Sequence, residues 1–337
     1  MGLFVKDLVK EFPHREDYRK LEANVLNCAS YLVFNNYYTI DEVKLSKAQT
    51  CKKHMLCPFC ARRRAAKMVE KNIEKFNQVI EENPKLIPAM LTVTVKNGDD
   101  LNERYQHIKN SFRKLQERRR DYIKKGRGFS EFCKIEGAVF SYEITHSQEN
   151  KWHPHIHAVV LLNEYIDVKK FSDEWKKITG DSYIVDIRKI SKKNMSSESS
   201  AIADAMCEVF KYALKFSDLT LERQFEAYET LMGQRMLGAF GLLHGVKTPD
   251  SLLDDLKGLD DLPYIEMFYS FKNRKGVYDL VRTEEREPKS NIYIKEYEIV
   301  PYVPDRGGYD DLTREDAQQG KEELPNLRKV EFKKSRI

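Results

Sequence analysis

The sequence predicts an α+β protein built on an antiparallel sheet, and three observations carry that expectation. Short segments rich in β-branched and aromatic residues alternate with long charged segments of helical periodicity. Their order is strand, helix, strand, strand, helix, strand, with one more helix after them. The two middle strands are joined by a short polar stretch, as in a hairpin. This is the split βαβ order, a βαββαβ (ferredoxin/RRM-like) core, and it predicts helices on one face of the sheet.

Each element has its own signal. Residues 1–26 are charged with scattered apolar positions and read as a helix or arm. Residues 61–82 place Val69, Ile73, Phe76 and Ile80 at helical spacing, and Asn83-Pro84 ends that helix. Ala89–Val95 is short and β-branched, hence a strand. Residues 101–125 form a basic helix that stops at Gly126. Residues 136–145 alternate, with Phe140, Tyr142 and Ile144 on one face and Ser141, Glu143 and Thr145 on the other. Residues 153–162 form the next strand, and His146–Trp152 between them is polar and turn-like. Residues 168–178 read as a helix, Tyr183–Ile187 as a strand and 201–216 as a helix. Helical and strand signals continue through 221–300, and 303–337 is a charged stretch rich in Pro and Gly, expected to be a weakly ordered tail.

The chain has 337 residues, 41% of them hydrophobic, enough for one large or two modest cores. Net charge is only +5, so its distribution matters more than its total. Residues 51–75 carry Lys52, Lys53, Arg62, Arg63, Arg64, Lys67, Lys71 and Lys75 against Glu70 and Glu74. Residues 104–127 carry ten Lys and Arg, among them Arg118, Arg119 and Arg120. Single charge runs are commonly solvated helix faces, but two in one chain point to a polyanion such as nucleic acid. No long apolar run spans a membrane, and the N-terminus has no signal-peptide core. Lys6 stands where a myristoylation signal wants Ser or Thr. The expected location is cytoplasmic, where cysteines are reduced, buried or metal-bound.

The stretch His153-Pro-His155-Ile-His157 sits on a strand, so its three imidazoles share one face. If the hairpin turns at Glu149, Glu143 lies across from His155 on that face. Two imidazoles and a carboxylate suit Mg²⁺ or Mn²⁺ and leave positions open for phosphate and water. The expected ligands are His155, His157 and Glu143, with His153 auxiliary. A lone histidine is commonly a hydrogen-bonded structural residue. Three of the chain's eight histidines within five residues argue against that here. The same alternation also fits the histidine-triad nucleotide hydrolases, which need neither basic helices nor a cysteine cluster.

Downstream, Glu208 and Tyr212 share a helix face, with Lys211 and Lys215 beside them. A phenol with a pKa of about 10 is a poor nucleophile without a polarised phosphate or a neighbouring cation. Lys211 or Lys215 would bind the phosphate, and Glu208 would serve as a base. The bland reading is an amphipathic helix with Val209, Phe210 and Leu214 in the core.

Upstream, Cys57-Pro-Phe-Cys60 is a metal knuckle, and Cys51 precedes it. The fourth zinc ligand would be Cys28 at long range or His54 locally. Four ligands within ten residues strain one site, which favours Cys28. Arg62, Arg63 and Arg64 follow the knuckle at a helix start, as a module presenting basic residues to duplex DNA would. Cys133 and Cys207 are expected to be buried thiols.

His-φ-His on a strand followed by Glu208-Val-Phe-Lys-Tyr-Ala-Leu-Lys215 on a helix resembles the HUH endonucleases, and within them the rolling-circle replication initiators of small bacterial plasmids. Leu91-Thr-Val-Thr-Val-Lys-Asn97, the stretch Leu231–Gly241 and the cysteine cluster are similar to that family in the same order, so the likeness spans about residues 28–245. The chain departs from the family pattern in Cys28-Ala29 where Cys-Gly is usual, in lacking an Arg near His54 and in a longer Cys51–Cys57 spacing.

The resemblance implies single-tyrosine chemistry. Tyr212 would nick one strand at the plasmid double-strand origin, keep the 5′ phosphate and free a 3′-OH primer, and Glu208 would activate water at termination. Host helicase and DNA polymerase would be further partners. The implied organisation is an N-terminal arm, zinc module and basic helix over 1–86, a catalytic domain over 87–220, an extension over 221–302 and the tail over 303–337. From another class, a non-catalytic zinc-containing DNA-binding regulator explains the cysteines and basic helices but not the histidine strand.

Overall fold

The computed structural model of the protein describes residues 2–149, 151–190, 198–211, 219–272 and 276–286. The first half runs α1 (Gly2–Glu11), α2 (Glu16–Leu26), β1 (Tyr31–Tyr37), β2 (Glu42–Ala48), α3 (Pro58–Glu82), β3 (Ile87–Thr94) and α4 (Leu101–Lys125). After a short 3₁₀ turn come β4 (Ile135–Ser147), β5 (Lys151–Leu162), α5 (Val168–Thr179), β6 (Val185–Lys189), α6 (Glu198–Phe210), α7 (Leu221–Leu231), β7 (Leu237–Gly241), β8 (Tyr264–Lys272) and β9 (Val277–Arg286). The expected tail at 303–337 lies outside the described residues.

Local chemistry sets the ends of the long elements. The Asp100 side chain accepts a hydrogen bond from Glu103 N at the start of α4 (2.8 Å), and Gly126 ends it in the left-handed region at φ 65°. Asp167 and Gly180 do the same for α5. α3 begins at Pro58, three residues before the expected start, because proline in the first turn sacrifices no helix hydrogen bond.

The chain folds into two compact units that are not successive segments. One is built from residues 1–28 and 50–252, the other from residues 29–49 and those after 252. The first unit holds a five-stranded sheet in the order β6-β3-β5-β4-β7, with every neighbouring pair antiparallel. The expected succession of strands and helices is present as β3, α4, β4, β5, α5 and β6. β7 is an addition at the edge. Its glycines allow a close approach: a Cβ on Gly238 would lie 2.3 Å from the Phe140 ring, and one on Gly241 2.0 Å from Glu136 O.

The expectation of helices on one face is corrected. Phe140, Tyr142, Ile144, Ile156 and Ala158 pack with α4, α5 and α7 into one core. Val139, Val159 and Leu161, on the opposite face, pack with Met68, Phe76 and Val79 of α3 and Met206, Val209 and Phe210 of α6. β4 and β5 are therefore covered on both sides over much of their length, and their apolar runs reflect it. The hairpin turn is also shorter than expected, since β4 reaches Ser147 and β5 starts at Lys151. Trp152 explains the extension. It is fully buried, exchanges backbone hydrogen bonds with Gly98 (2.9 and 3.1 Å) and stacks edge-on with His146.

The second unit is a four-stranded antiparallel sheet in the order β2-β1-β8-β9. Leu32, Val33, Leu45, Ile265, Met267 and Tyr269 are its buried apolar residues. Glu266, 3% exposed, is compensated by Lys47 Nζ at 2.7 Å and Arg286 at 3.3 Å. Among the described residues, no helix is long and apolar enough to cross a membrane.

One carboxylate ties three elements of the first unit. Glu226 Oε1 on α7 accepts from Trp152 Nε1 (2.9 Å) and from the free backbone N–H of Leu101 at the start of α4 (3.0 Å). Glu226→Ala should strand both donors and cost about 1–3 kcal/mol in urea unfolding, with Glu226→Gln recovering part. An unchanged unfolding midpoint for Glu226→Ala would contradict this role.

Candidate metal centre and nucleic-acid interface

Antiparallel pairing places Glu143 of β4 directly opposite His155 of β5, with His157 two residues on along the same face. Glu143 Oε2 lies 3.3 Å from His155 Nε2 and 3.1 Å from His157 Nε2. One donor atom from each of the three residues falls within 4.8 Å of the others. The other ring nitrogens are held from behind. His157 Nδ1 is 3.0 Å from Thr92 Oγ1 on β3, and His155 Nδ1 is 3.4 Å from His153 O. A proton on Nδ1 of each ring would leave both Nε2 lone pairs free for a cation shared with Glu143. His153 turns aside to hydrogen-bond Asn97 and stays outside the trio.

The trio fits a divalent cation by its own unsatisfied chemistry. Glu143 Oε2 is buried and makes no well-formed hydrogen bond among the described residues, although three cationic or polar groups surround it. One of these is the Lys211 ammonium at 3.0 Å, a positive charge already drawn to the site. Burial pushes the Glu143 carboxyl up, but His155, His157 and Lys211 outweigh it and hold it well below the usual carboxylate range. An anionic oxygen flanked by two imidazoles is a donor set for a hard or borderline ion.

The end of α6 borders this cluster. Met206, Val209 and Phe210 anchor the helix. Glu208, on another face, brings Oε1 to 3.7 Å from His157 Nε2 and pairs with Lys211. Burial lowers the Lys211 pKa, and its ion pairs with Glu208 and Glu143 raise it further than burial lowers it, so it remains an ammonium. The helix expected over 201–216 is described from Glu198 to Phe210, and Tyr212 and Lys215 lie outside the described residues. Cys207 corrects a further expectation, being exposed on α6, whereas Cys133 is buried.

Cys28, Cys51, Cys57 and Cys60 form a second cluster with mutual sulfur distances of 3.4–3.6 Å for three of the pairs. His54 stands outside it. Cys51 N donates to Cys28 Sγ (3.3 Å) and Lys53 N to Cys51 Sγ (3.5 Å), bonds that favour thiolate. Hydrogen bonds among the four push Cys51 and Cys60 down and Cys28 and Cys57 up. Four sulfurs this close share a full set of charges only around a cation, and their donor chemistry fits a tetrahedral ion. The turn residues Ala29 and Lys52, each following a cysteine, adopt φ 55°. That is the left-handed region glycine takes most easily, which accounts for a glycine being admissible where Ala29 stands.

The basic candidates do not form one surface. α3 packs on the face that carries Glu143, His155 and His157, and α4 on the opposite face. On α3, Arg62 is exposed, Arg63 Nε donates to Leu252 O (2.8 Å), Arg64 is half-buried and Lys67 is 3.5 Å from Glu70. On α4, Arg118 and Arg120 are exposed. Arg119 is a correction. It is 7% exposed, donates to Ile135 O and Glu136 O and lies over the Phe240 ring, so its guanidinium is committed to the fold. Thr92 and Asn97 are the site residues that sequence reasoning missed. The signal was available for Thr92, because the alternation that buries Leu91 and Val93 turns it to the opposite strand face.

The family model described as Replication protein matches residues 42–273, more than half of the chain. A protein named Protein rep from Streptococcus pneumoniae serotype 2 is 28% identical over 264 residues, 73% of this chain and 76% of the relative. One of the same name from Staphylococcus aureus is 30% identical over 212 residues, 59% of this chain and 84% of the relative. Another, from a Bacillus species, is 27% identical over 262 residues, 67% and 79% respectively. No solved structure matches. The protein belongs to the Replication protein family.

Proposed function

We propose that the protein is an HUH endonuclease that initiates rolling-circle replication of a plasmid by nicking one strand at its double-strand origin. The observation that carries this reading is the convergence of Glu143, His155 and His157 beside Glu208 of α6 and Lys211, the residue that precedes Tyr212 in the sequence. Membership of the Replication protein family supports it.

In this reading Glu143, His155 and His157 hold Mg²⁺ or Mn²⁺, which when bound polarises the scissile phosphate and neutralises charge in the transition state. Lys211 fixes a phosphate oxygen from the other side and stabilises the added charge. Lys215 is a second candidate for that task. The Tyr212 oxygen forms a bond to phosphorus as the bond to the 3′ oxygen breaks. The 5′ phosphate stays on Tyr212, whose phenol proton passes to solvent, and the 3′ oxygen takes up a proton from solvent to become a primer for a host polymerase, with a host helicase parting the strands. At termination Glu208 takes the proton from a water whose oxygen bonds to the phosphorus of the regenerated nick site as the bond to the 3′ oxygen breaks and that oxygen takes up a proton, and the position of Glu208 near His157 suits that task. His153 orients through Asn97 and remains auxiliary.

Cys28, Cys51, Cys57 and Cys60 hold a structural Zn²⁺ in the N-terminal module of residues 1–86, and residues 87–220 form the catalytic part. Arg62, Arg64 and Lys67 on α3, with Arg118 and Arg120 on α4, contact origin DNA.

Three outcomes test this reading. Tyr212→Phe should abolish nicking and the covalent adduct in an Mn²⁺ assay with single-stranded origin oligonucleotides, while origin binding persists; an adduct surviving in that variant rejects Tyr212. His155→Ala and His157→Ala should each lower nicking about 100-fold or more, and EDTA should stop the wild type. Nicking that is insensitive to EDTA defeats the metal reading. Metal analysis should find a single zinc in the wild type and none in Cys57→Ser, whose thermal unfolding should shift down; zinc retained by that variant contradicts the four-cysteine site.

A further inference from the structure

A cavity of about 550 Å³ lies within the first unit and shares a wall with the Glu143–His155–His157 cluster. Lys211 is that wall, lining the cavity while its Nζ sits 3.0 Å from Glu143 Oε2. The cavity is mostly apolar, with Ala65 of α3 and Phe210 of α6 among its lining. Its charged lining is Arg62, Arg64 and Lys211 against the single carboxylate of Glu70. The volume lies within the roughly 300–1,000 Å³ range of pockets that enclose a small organic ligand. It is far too small for a duplex.

We infer that this cavity receives one unstacked nucleobase of the DNA strand, the base next to the phosphate held at the Glu143–His155–His157 site. An apolar slot beside a cationic rim complements a nucleotide, whose flat π-face and phosphate make the matching demands. A base still paired in a duplex does not fit, so the strand must be opened before it is held. The inference rests on the nicking reading for the identity of the strand, but not on cleavage itself.

The test is binding of labelled single-stranded oligonucleotides from the source plasmid's origin, read by fluorescence anisotropy in EDTA. Each nucleotide is replaced in turn by an abasic residue. One position should weaken binding by about tenfold. Ala65→Phe, which fills the cavity, should bind the intact oligonucleotide about tenfold more weakly and be indifferent to that abasic position. Cys207 lines the same cavity and is exposed, so alkylating the folded wild type with N-ethylmaleimide should act as Ala65→Phe does. The reagent should change nothing in Cys207→Ala. Penalties that add in the filled protein, no single sensitive position, or an alkylated Cys207 that leaves binding unchanged would overturn the pocket. If the wild type nicks none of these oligonucleotides in Mn²⁺ while the single-position penalty persists, the nicking reading fails and the pocket stands.

Discussion

The register of the β4–β5 hairpin is the constraint on which the rest depends. Glu143 faces His155 because the two strands keep that offset from Gly137 to Ser147. A slip by one residue would turn the histidines into the core and Ile156 and Ala158 toward the site. Burial prevents it, since Ile156, Ala158 and Val160 have no exposed surface on one side and Val159 and Leu161 have none on the other. The hydrophobic effect thus holds three polar side chains in a ligand geometry they would not adopt alone.

The two covered faces divide the work. The face under α4, α5 and α7 is core only, and Glu226 and Trp152 lock its end to the hairpin. The face under α3 and α6 is core over Val159 and Leu161 but gives way to polar residues at His157 and His155. There the end of α6 supplies Glu208, and Lys211 follows it directly, so packing of an apolar helix face sets the distance of charged groups from the site. The cysteine cluster has a separate structural logic. Cys28 is the last residue before the chain leaves the first unit, and Cys51 is the second after it returns. An ion held by both sulfurs would close the excursion of residues 29–49 at its base and reduce the entropy of the open loop.

Much of this was legible in the sequence because it is periodic. Alternation in residues 136–145 and 153–162 exposed the strands, their faces and the Glu143–His155 pairing. Asn83-Pro84 and Gly126 marked helix ends by local chemistry. What was hidden depends on contacts distant in sequence. β1 pairs with β8 across more than 200 residues, so the second sheet has no local signature. Arg119 reads as one more charge in a basic run, and only the carbonyls of Ile135 and Glu136 show that it is internal. Helices on both faces were missed because the continuous burial of β4 and β5 looks, residue by residue, like a strand with one apolar face.

The central claim is that hairpin register builds one ion site from Glu143, His155 and His157 and leaves His153 out. Calorimetric titration of the metal-free protein with Mn²⁺ tests it most directly. The account predicts a single site that disappears in Glu143→Gln and survives in His153→Gln. Binding retained by Glu143→Gln, or lost with His153→Gln alone, would contradict it.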